Sequence, residues 1–388
     1  MSATAEAPTE ILIPSLPNDV ALQCLARVPR QYHPVLATVS KPIRSLLSSQ
    51  EFFAARSALN STELLLYLLI RNQSGGPRSW LTVYGRPNPN DDDGGDNKSN
   101  IIIAPVPGVP DDWQDWSQYA VVVPRIYVFG GEIYGLSSPE LWIFDCRFHT
   151  WERGPSMPTT VSDTFRPNRI FCLKITPLFK TVVLDGKIYV IGCWTVENSW
   201  VHVFDTVDRR WEAVPSPKLV VYGRPVVGCA IRGREVCVWL NKEELKFDPA
   251  TKTWEVFESR TGYGLDWNTD VCEVNGVLYC YDRHSRLIKG FDERIGEWKK
   301  LKFVNKGMRS HWRSIRMGNV GGSLVIMGSA RFRNLESTVG VWCVEIEVNK
   351  DGNEDLQGQV LWSEMVYSTQ ICSFGGWPLL YACVPVSL

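Results

Sequence analysis

Two hydrophobic rhythms divide the chain. Between residues 14 and 59 the apolar positions fall at helical spacing: Val20, Leu22, Cys24, Leu25 and Val28, then Val35, Leu36 and Val39, then Ile43, Leu46 and Leu47, and last Phe52 and Phe53. A period near 3.6 predicts short amphipathic helices. Asn18 and Asp19 favour a helix start electrostatically, and Pro17 is tolerated in a first turn. Pro29 stops that helix and a second begins near Pro34. A unit of this size is marginal alone and needs a partner surface or a neighbouring domain. Residues 1–13, ahead of the pattern, are read as a flexible N-terminus.

From residue 62 onward the rhythm changes to short β-branched and aromatic runs bounded by glycine, which predict strands. Such runs are Arg125–Phe129 before Gly130-Gly131, Lys187–Ile191 after Asp185-Gly186, Glu235–Val238 after Gly233, Val277–Tyr281 after Asn275-Gly276, and Ser323–Met327 after Gly321-Gly322. Asp-Gly and Asn-Gly are two-residue hairpin signals. A second motif recurs with the strands. Phe144-Asp145, Phe204-Asp205, Phe247-Asp248 and Phe291-Asp292 are each followed at the same offset by tryptophan, at Trp151, Trp211, Trp254 and Trp298. The period of roughly 45 residues is that of propeller blades, not of helical repeats near 34. Each unit reads as four antiparallel strands whose aspartate closes a turn and whose tryptophan fills the wedge against the next sheet. A fifth unit closes at Trp362. Two leftover strands near Leu64–Ile70 and Trp80–Tyr84, with two more in the tail from Ile371 to Val386, suggest a composite sixth blade that joins the two ends of the repeat array.

Composition narrows the class. The chain has 388 residues, with 44% hydrophobic and 21% charged, which excludes global disorder. Lys+Arg 41 against Asp+Glu 42 gives a net charge of -1, so binding of nucleic acid or anionic lipid by bulk charge is not expected. The longest apolar run, Leu64–Ile70, falls far short of the ~20 residues of a membrane span. Met1–Glu10 lacks the basic and apolar features of a signal or transit peptide, and the 11 cysteines include no C-x-x-C pair. Reduced thiols and a cytoplasmic or nuclear location follow. Cys229 and Cys237 recur one repeat later as Cys272 and Cys280, the mark of equivalent core positions.

Specific motifs sharpen both halves. Gly130-Gly131 after a tyrosine-containing strand, with Trp151 downstream, resembles the kelch repeat. The later units keep Phe-Asp and Trp but lose the glycine doublet: Cys193 replaces its second glycine, and Trp239-Leu240 and Tyr281-Asp282 stand in its place. Leu16-Pro17-Asn18-Asp19-Val20, then Cys24-Leu25 with Val28-Pro29, then Val39-Ser40-Lys41 with Arg44-Ser45-Leu46, resembles the F-box. The combination resembles the plant F-box/kelch-repeat family over nearly the whole chain. The fold so implied is an α+β two-module chain: a small N-terminal α-helical F-box (residues 14–59) followed by an all-β kelch-type propeller (residues 62–388) of six blades. The resemblance further implies a substrate receptor of a cullin-based (SCF) ubiquitin ligase, with a Skp-type adaptor, and through it a cullin, as partner. Carried over by position, the adaptor face comprises Leu16, Pro17, Val20, Leu25, Val28, Val39 and Leu46. One departure bears on it: Pro42 stands where the family usually has a helix-compatible residue, and an interior proline costs ~3 kcal/mol unless the helix ends there.

Candidate chemistry is sparse. His33, His149, His202, His284 and His311 show no metal-ligand spacing, and there is no G-x-S-x-G, P-loop or dinucleotide fingerprint. Asp91, Asp92, Asp93 and Asp96 lie in a polar low-complexity stretch, residues 86–100, read as a disordered acidic loop; it lacks the spacing and terminal glutamate of a calcium loop. No metal, cofactor or catalytic residue is expected. The loops entering the blades carry Arg166 and Arg169, Tyr222 and Arg224, Asp266 and Trp267, and His311, Trp312 and Arg313. Arginine and tryptophan gathered on one face suit a protein target. The residues alone leave three readings open: a ligase receptor, an interaction scaffold whose helices merely pack on the propeller, and an enzymatic or small-ligand propeller.

Overall fold

In a computed structural model the described residues are 11–71, 78–85, 102–110, 117–130, 132–133, 136–158, 179–192, 200–217, 226–240, 243–258, 270–305, 312–332, 335–350, 355–370 and 379–388. The expected acidic loop and residues 1–10 of the expected flexible N-terminus lie outside them. Leu12 and Ile13, inside, pack on the helical core.

Four helices form the first module: α1 (Asn18–Ala26), α2 (His33–Val39), α3 (Lys41–Leu47) and α4 (Gln50–Ala58). Leu25, Ala26, Ile43, Leu46, Leu47, Phe52 and Phe53 make its core. Ser40 adopts an extended conformation between α2 and α3, and its hydroxyl accepts the Ile43 N–H at 3.2 Å. Pro42 therefore sits in the first turn of a new helix, where its missing N–H has no intrahelical acceptor to lose. The interior-proline penalty does not arise, and the doubt it cast on this helix is corrected.

The propeller has six blades. Blade 1 comprises Gln118–Val122, Arg125–Phe129, Leu141–Asp145 and Thr150–Arg153; blade 2 Lys180–Leu184, Lys187–Ile191, Val201–Asp205 and Arg210–Val214. Blade 3 comprises Gly228–Arg232, Glu235–Trp239, Glu243–Asp248 and Thr253–Glu258; blade 4 Val271–Val274, Val277–Asp282, Leu287–Asp292 and Glu297–Lys300. Blade 5 is built from Arg313–Val320, Ser323–Phe332, Leu335–Lys350 and Leu356–Gln370, with Lys302–Phe303 added in parallel to its outer edge. The closing blade is composite: Leu379–Ser387 pairs antiparallel with Leu64–Arg71, which continues to Arg78–Tyr84 and Ile102–Pro105. Of the two strands expected in the tail, Leu379–Ser387 is described; 371–378 lie outside the described residues.

The recurring motif has a common geometry. Phe144 pairs across the sheet with Trp151, Phe204 with Trp211, Phe247 with Trp254 and Phe291 with Trp298. Their ring centroids lie 4.6, 5.0, 4.9 and 5.4 Å apart, the range in which tilted aromatic pairs attract. The aspartates close the intervening turns, accepting the N–H of Arg147, Val207, Ala250 and Arg294 at 2.9–3.1 Å. Two residues before each tryptophan the backbone is left-handed: φ is 53° at His149, 56° at Arg209, 57° at Lys252 and 69° at Gly296. The Asp-Gly and Asn-Gly turns also have both φ angles positive, as the predicted hairpins require.

Candidate functional site

The helical module leaves apolar stripes uncovered on α1 and α2. α2 contains Val35, Leu36, Ala37 and Val39, yet none of its residues is buried. Val35 is 66% exposed and Val39 64%; Tyr32, one turn earlier, is also exposed. On α1, Val20 and Cys24 follow one another at i, i+4, and Leu16 precedes them by a turn; all three are exposed. Pro17 is exposed beside them. Four of the seven expected adaptor-face residues, Leu16, Pro17, Val20 and Val39, are thus on the surface. Leu25 and Leu46 instead point into the module core and Val28 is half-buried, so their role in any docking is to hold the helices in place. Leu46 also lines a surface groove of about 400 Å³, together with Leu12, Leu22 and Pro42, beside the exposed carboxylates of Asp19 and Glu51. Tyr32, Val35 and Cys24 complete the exposed stripes. The i, i+4 relation of Val35 to Val39 and of Cys24 to Val20, with Tyr32 one turn before Val35, was readable in the sequence, although only a structure shows which stripe the core takes.

The opposite side of the module is clamped to the propeller. Arg56, 1% exposed, donates from Nη1 to the carbonyls of Ala26 and Val28 at 2.9 and 2.8 Å, and from Nη2 to Ser61 O at 2.7 Å and Glu63 Oε1 at 2.9 Å. Glu63 also accepts the Arg30 N–H at 3.0 Å, and its own backbone pairs both ways with Leu388. The Arg30 guanidinium, 6% exposed, crosses into blade 1 and donates to the carbonyls of Cys146 and Arg147, the second at 2.8 Å. Phe53 meets Phe148 edge to face at 5.6 Å. Two histidines lie at this seam. Burial, with the Arg30 cation adding to it, lowers His149 to about 4. Burial also lowers His33 to about 4, against the opposing hydrogen bond to Val28 O and with help from Arg56 and Arg30. Both rings are neutral near pH 7.

Of the expected target-binding residues, Arg166, Arg169, Tyr222, Arg224, Asp266, Trp267 and His311 lie outside the described residues. Trp312 is 8% exposed and packs in the core of blades 4 and 5, against Gly328, which corrects its assignment from contact to packing. Arg313 begins the first strand of blade 5. The repeated cysteines Cys237, Cys272 and Cys280 are buried free thiols, raised by burial to about 11, 12 and 12. Among the described residues no cluster of three or more His, Cys, Asp or Glu could hold a metal ion. No helix among them is long and apolar enough to cross a membrane.

Comparison with known proteins matches both modules. Residues 13–54 match the F-box domain, and residues 80–367 match the FKB95, Kelch-repeats domain. The chain is 30% identical over 390 residues to F-box/kelch-repeat protein At4g39550 of Arabidopsis thaliana, covering 96% of this chain and 93% of that protein. It is 29% identical to F-box/kelch-repeat protein At4g39590 of the same plant, covering 91% and 86%. It is 30% identical to the putative F-box/kelch-repeat protein At5g38680, covering 90% of each.

Proposed function

We propose, from the premise that this chain belongs to the F-box/kelch-repeat family, that it is the substrate-recognition subunit of an SCF-type ubiquitin ligase. In this reading the helical module docks a Skp-type adaptor and through it a cullin, the propeller holds a target protein, and the chain itself catalyses nothing. One observation carries it: Val35 and Val39 on α2, with Leu16 and Val20 at the start of α1, stand exposed, while Leu36 and Ala37 of α2 pack half-buried on the module core. Exposed apolar side chains lined up on helix faces are the mark of a protein-docking surface. A scaffold whose helices only packed on the propeller would cover that face. Here the face turned to the propeller is the other one, built from Arg30, Phe53 and Arg56.

The test is titration of the full chain with a plant Skp-type adaptor. Binding is expected, and Val35→Asp with Val39→Asp is expected to weaken it at least a hundredfold while leaving thermal unfolding of the propeller in place, because two charges would have to be desolvated in an apolar interface. A wild-type chain that ignores such adaptors sinks the proposal. Target identification then follows from what the adaptor-bound chain retains, with Arg166, Arg169, Tyr222, Arg224, Asp266, Trp267 and His311 as the first residues to vary.

A further inference from the structure

Two neighbouring seams between blades share a tie. Arg209 of blade 2 donates to Glu152 of blade 1 at 3.1 and 3.2 Å, and Trp211 Nε1 donates to Pro155 O at 2.8 Å. One blade on, Lys252 pairs with Glu212, and Trp254 Nε1 donates to Pro215 O at 2.6 Å. In both, the cation stands two residues before the tryptophan, and the carboxylate directly follows the previous blade's tryptophan. Among the described residues the seam between the closing blade and blade 1 does not repeat that cation–carboxylate pair, and neither does the seam between blades 3 and 4, where Gly296 takes the cation's position. The position two before Trp151 is His149, and the facing outer strand, Ile102–Pro105, carries no carboxylate.

Arg30 of the helical module reaches into that seam. Its guanidinium takes the carbonyls of Cys146 and Arg147 in the blade 1 turn, comes within 3.4 Å of His149 Nε2, and lies 5.3 Å above the Phe53 ring. His149 in turn contacts Tyr67 Oη at 3.3 Å, on the first strand of the closing blade. Through its backbone N–H, Arg30 shares the Glu63 carboxylate with Arg56. A single residue thus links the α1–α2 turn, α4 and the turn of blade 1, and through His149 reaches Tyr67 on the strand that closes the ring. Both carbonyls are held by Nη2 alone, whose two N–H bonds are fixed in the guanidinium plane, whereas a lysine ammonium turns freely on a flexible stem.

We infer that Arg30 is a positioning residue: it ties the docking helices to the turn of blade 1 and locks them to the propeller as one rigid body, so that a target is presented to the ligase at one distance and in one direction. This inference rests on the ligase reading for its consequence, but not for its geometry.

The experiment uses the full chain with spin-labelled non-canonical residues in place of exposed Ala54 on α4 and Val207 on blade 2. The wild type is expected to give a single narrow distance distribution. Arg30→Ala is expected to widen it at least twofold, and Arg30→Lys less, with adaptor affinity within twofold of wild type. In a reconstituted ligase, ubiquitin on the chain's own propeller lysines is expected to map to a narrow set in the wild type and to spread in Arg30→Ala. Unchanged width in Arg30→Ala overturns the inference, as does an unchanged lysine map with adaptor binding retained. Should Arg30→Ala fail to fold, Arg30→Lys and Phe148→Ala, which trims the contact from the propeller side, decide by the same width. A wild type that binds no adaptor defeats the ligase reading, while the distance measurement still judges the lock.

Discussion

At the scale of single residues, two features set measurable energies. Trp211 and Trp254 do more than fill space, since their indole N–H groups reach back to a proline carbonyl of the preceding blade. Trp254→Phe keeps most of the ring and removes that bond, so it should cost about 1 kcal/mol plus some packing, read as a shift in the urea midpoint. The second feature is the pair of neutral histidines. An ordinary histidine gains a proton near pH 6.5, whereas His33 and His149 resist until about 4. Between those values the unfolded chain binds more protons than the folded one, so stability falls as pH drops from about 6.5 towards 4 and is flat above that window. Thermal melts across pH 4 to 7 should show this loss, and His149→Phe should flatten part of it. Asp282, lowered to about 2, adds a separate loss only below its ordinary value near 4. Little of the seam was legible in the sequence. Arg30 lies in a Pro-Arg-Gln connector, and its acceptors Cys146 and Arg147 are more than a hundred residues away, where no local period points.

At the scale of elements, the helical module shows how one polar side chain decides a boundary. Ser40 ends α2 and caps α3, which is why Pro42 is harmless. Ser40→Ala should cost the module about 1 kcal/mol, measured by hydrogen exchange of α3 amides, with the propeller amides unaffected. The four-strand unit and its turns were readable because Phe-Asp and Trp sit opposite one another in every regular blade. Blade 5 was less readable. Its two long strands slip register between Val341 and Trp342 and between Glu345 and Ile346, and each bulge reverses which residues face the core. Trp362 therefore does not repeat the regular pairing: it faces Glu345 and donates to that buried carboxylate. The repeated cysteines follow the blade period, and their burial has a direct readout. Exposed Cys24 should react with a thiol reagent in minutes, while Cys237, Cys272 and Cys280 should wait for unfolding.

At the scale of the whole molecule, the ring is held shut by strands from far apart in the chain. Leu64–Arg71 pairs with Leu379–Ser387, and the same junction carries Glu63, which receives both Arg30 and Arg56. Removing residues 379–388 should therefore unfasten the helical module as well as the sixth blade. Loss of the cooperative calorimetric transition together with aggregation on gel filtration is the expected result; a monomer that still melts sharply would show that the other five blades stand without closure. The composite blade was foreseeable from strands left without a unit. The coupling of closure to the helices was not, since it depends on where three side chains converge.

That late-paired closure has a consequence during synthesis. The apolar strand Leu64–Arg71 leaves the ribosome early, yet its partner is made roughly 300 residues later, a wait of about 15–60 s at ordinary elongation rates. Throughout that interval the greasiest stretch of the chain has one naked edge, open to chaperones or to strands of neighbouring nascent chains. A message cut short anywhere in the repeats would leave that edge permanently unpaired, so its product would carry its own signature of incompleteness.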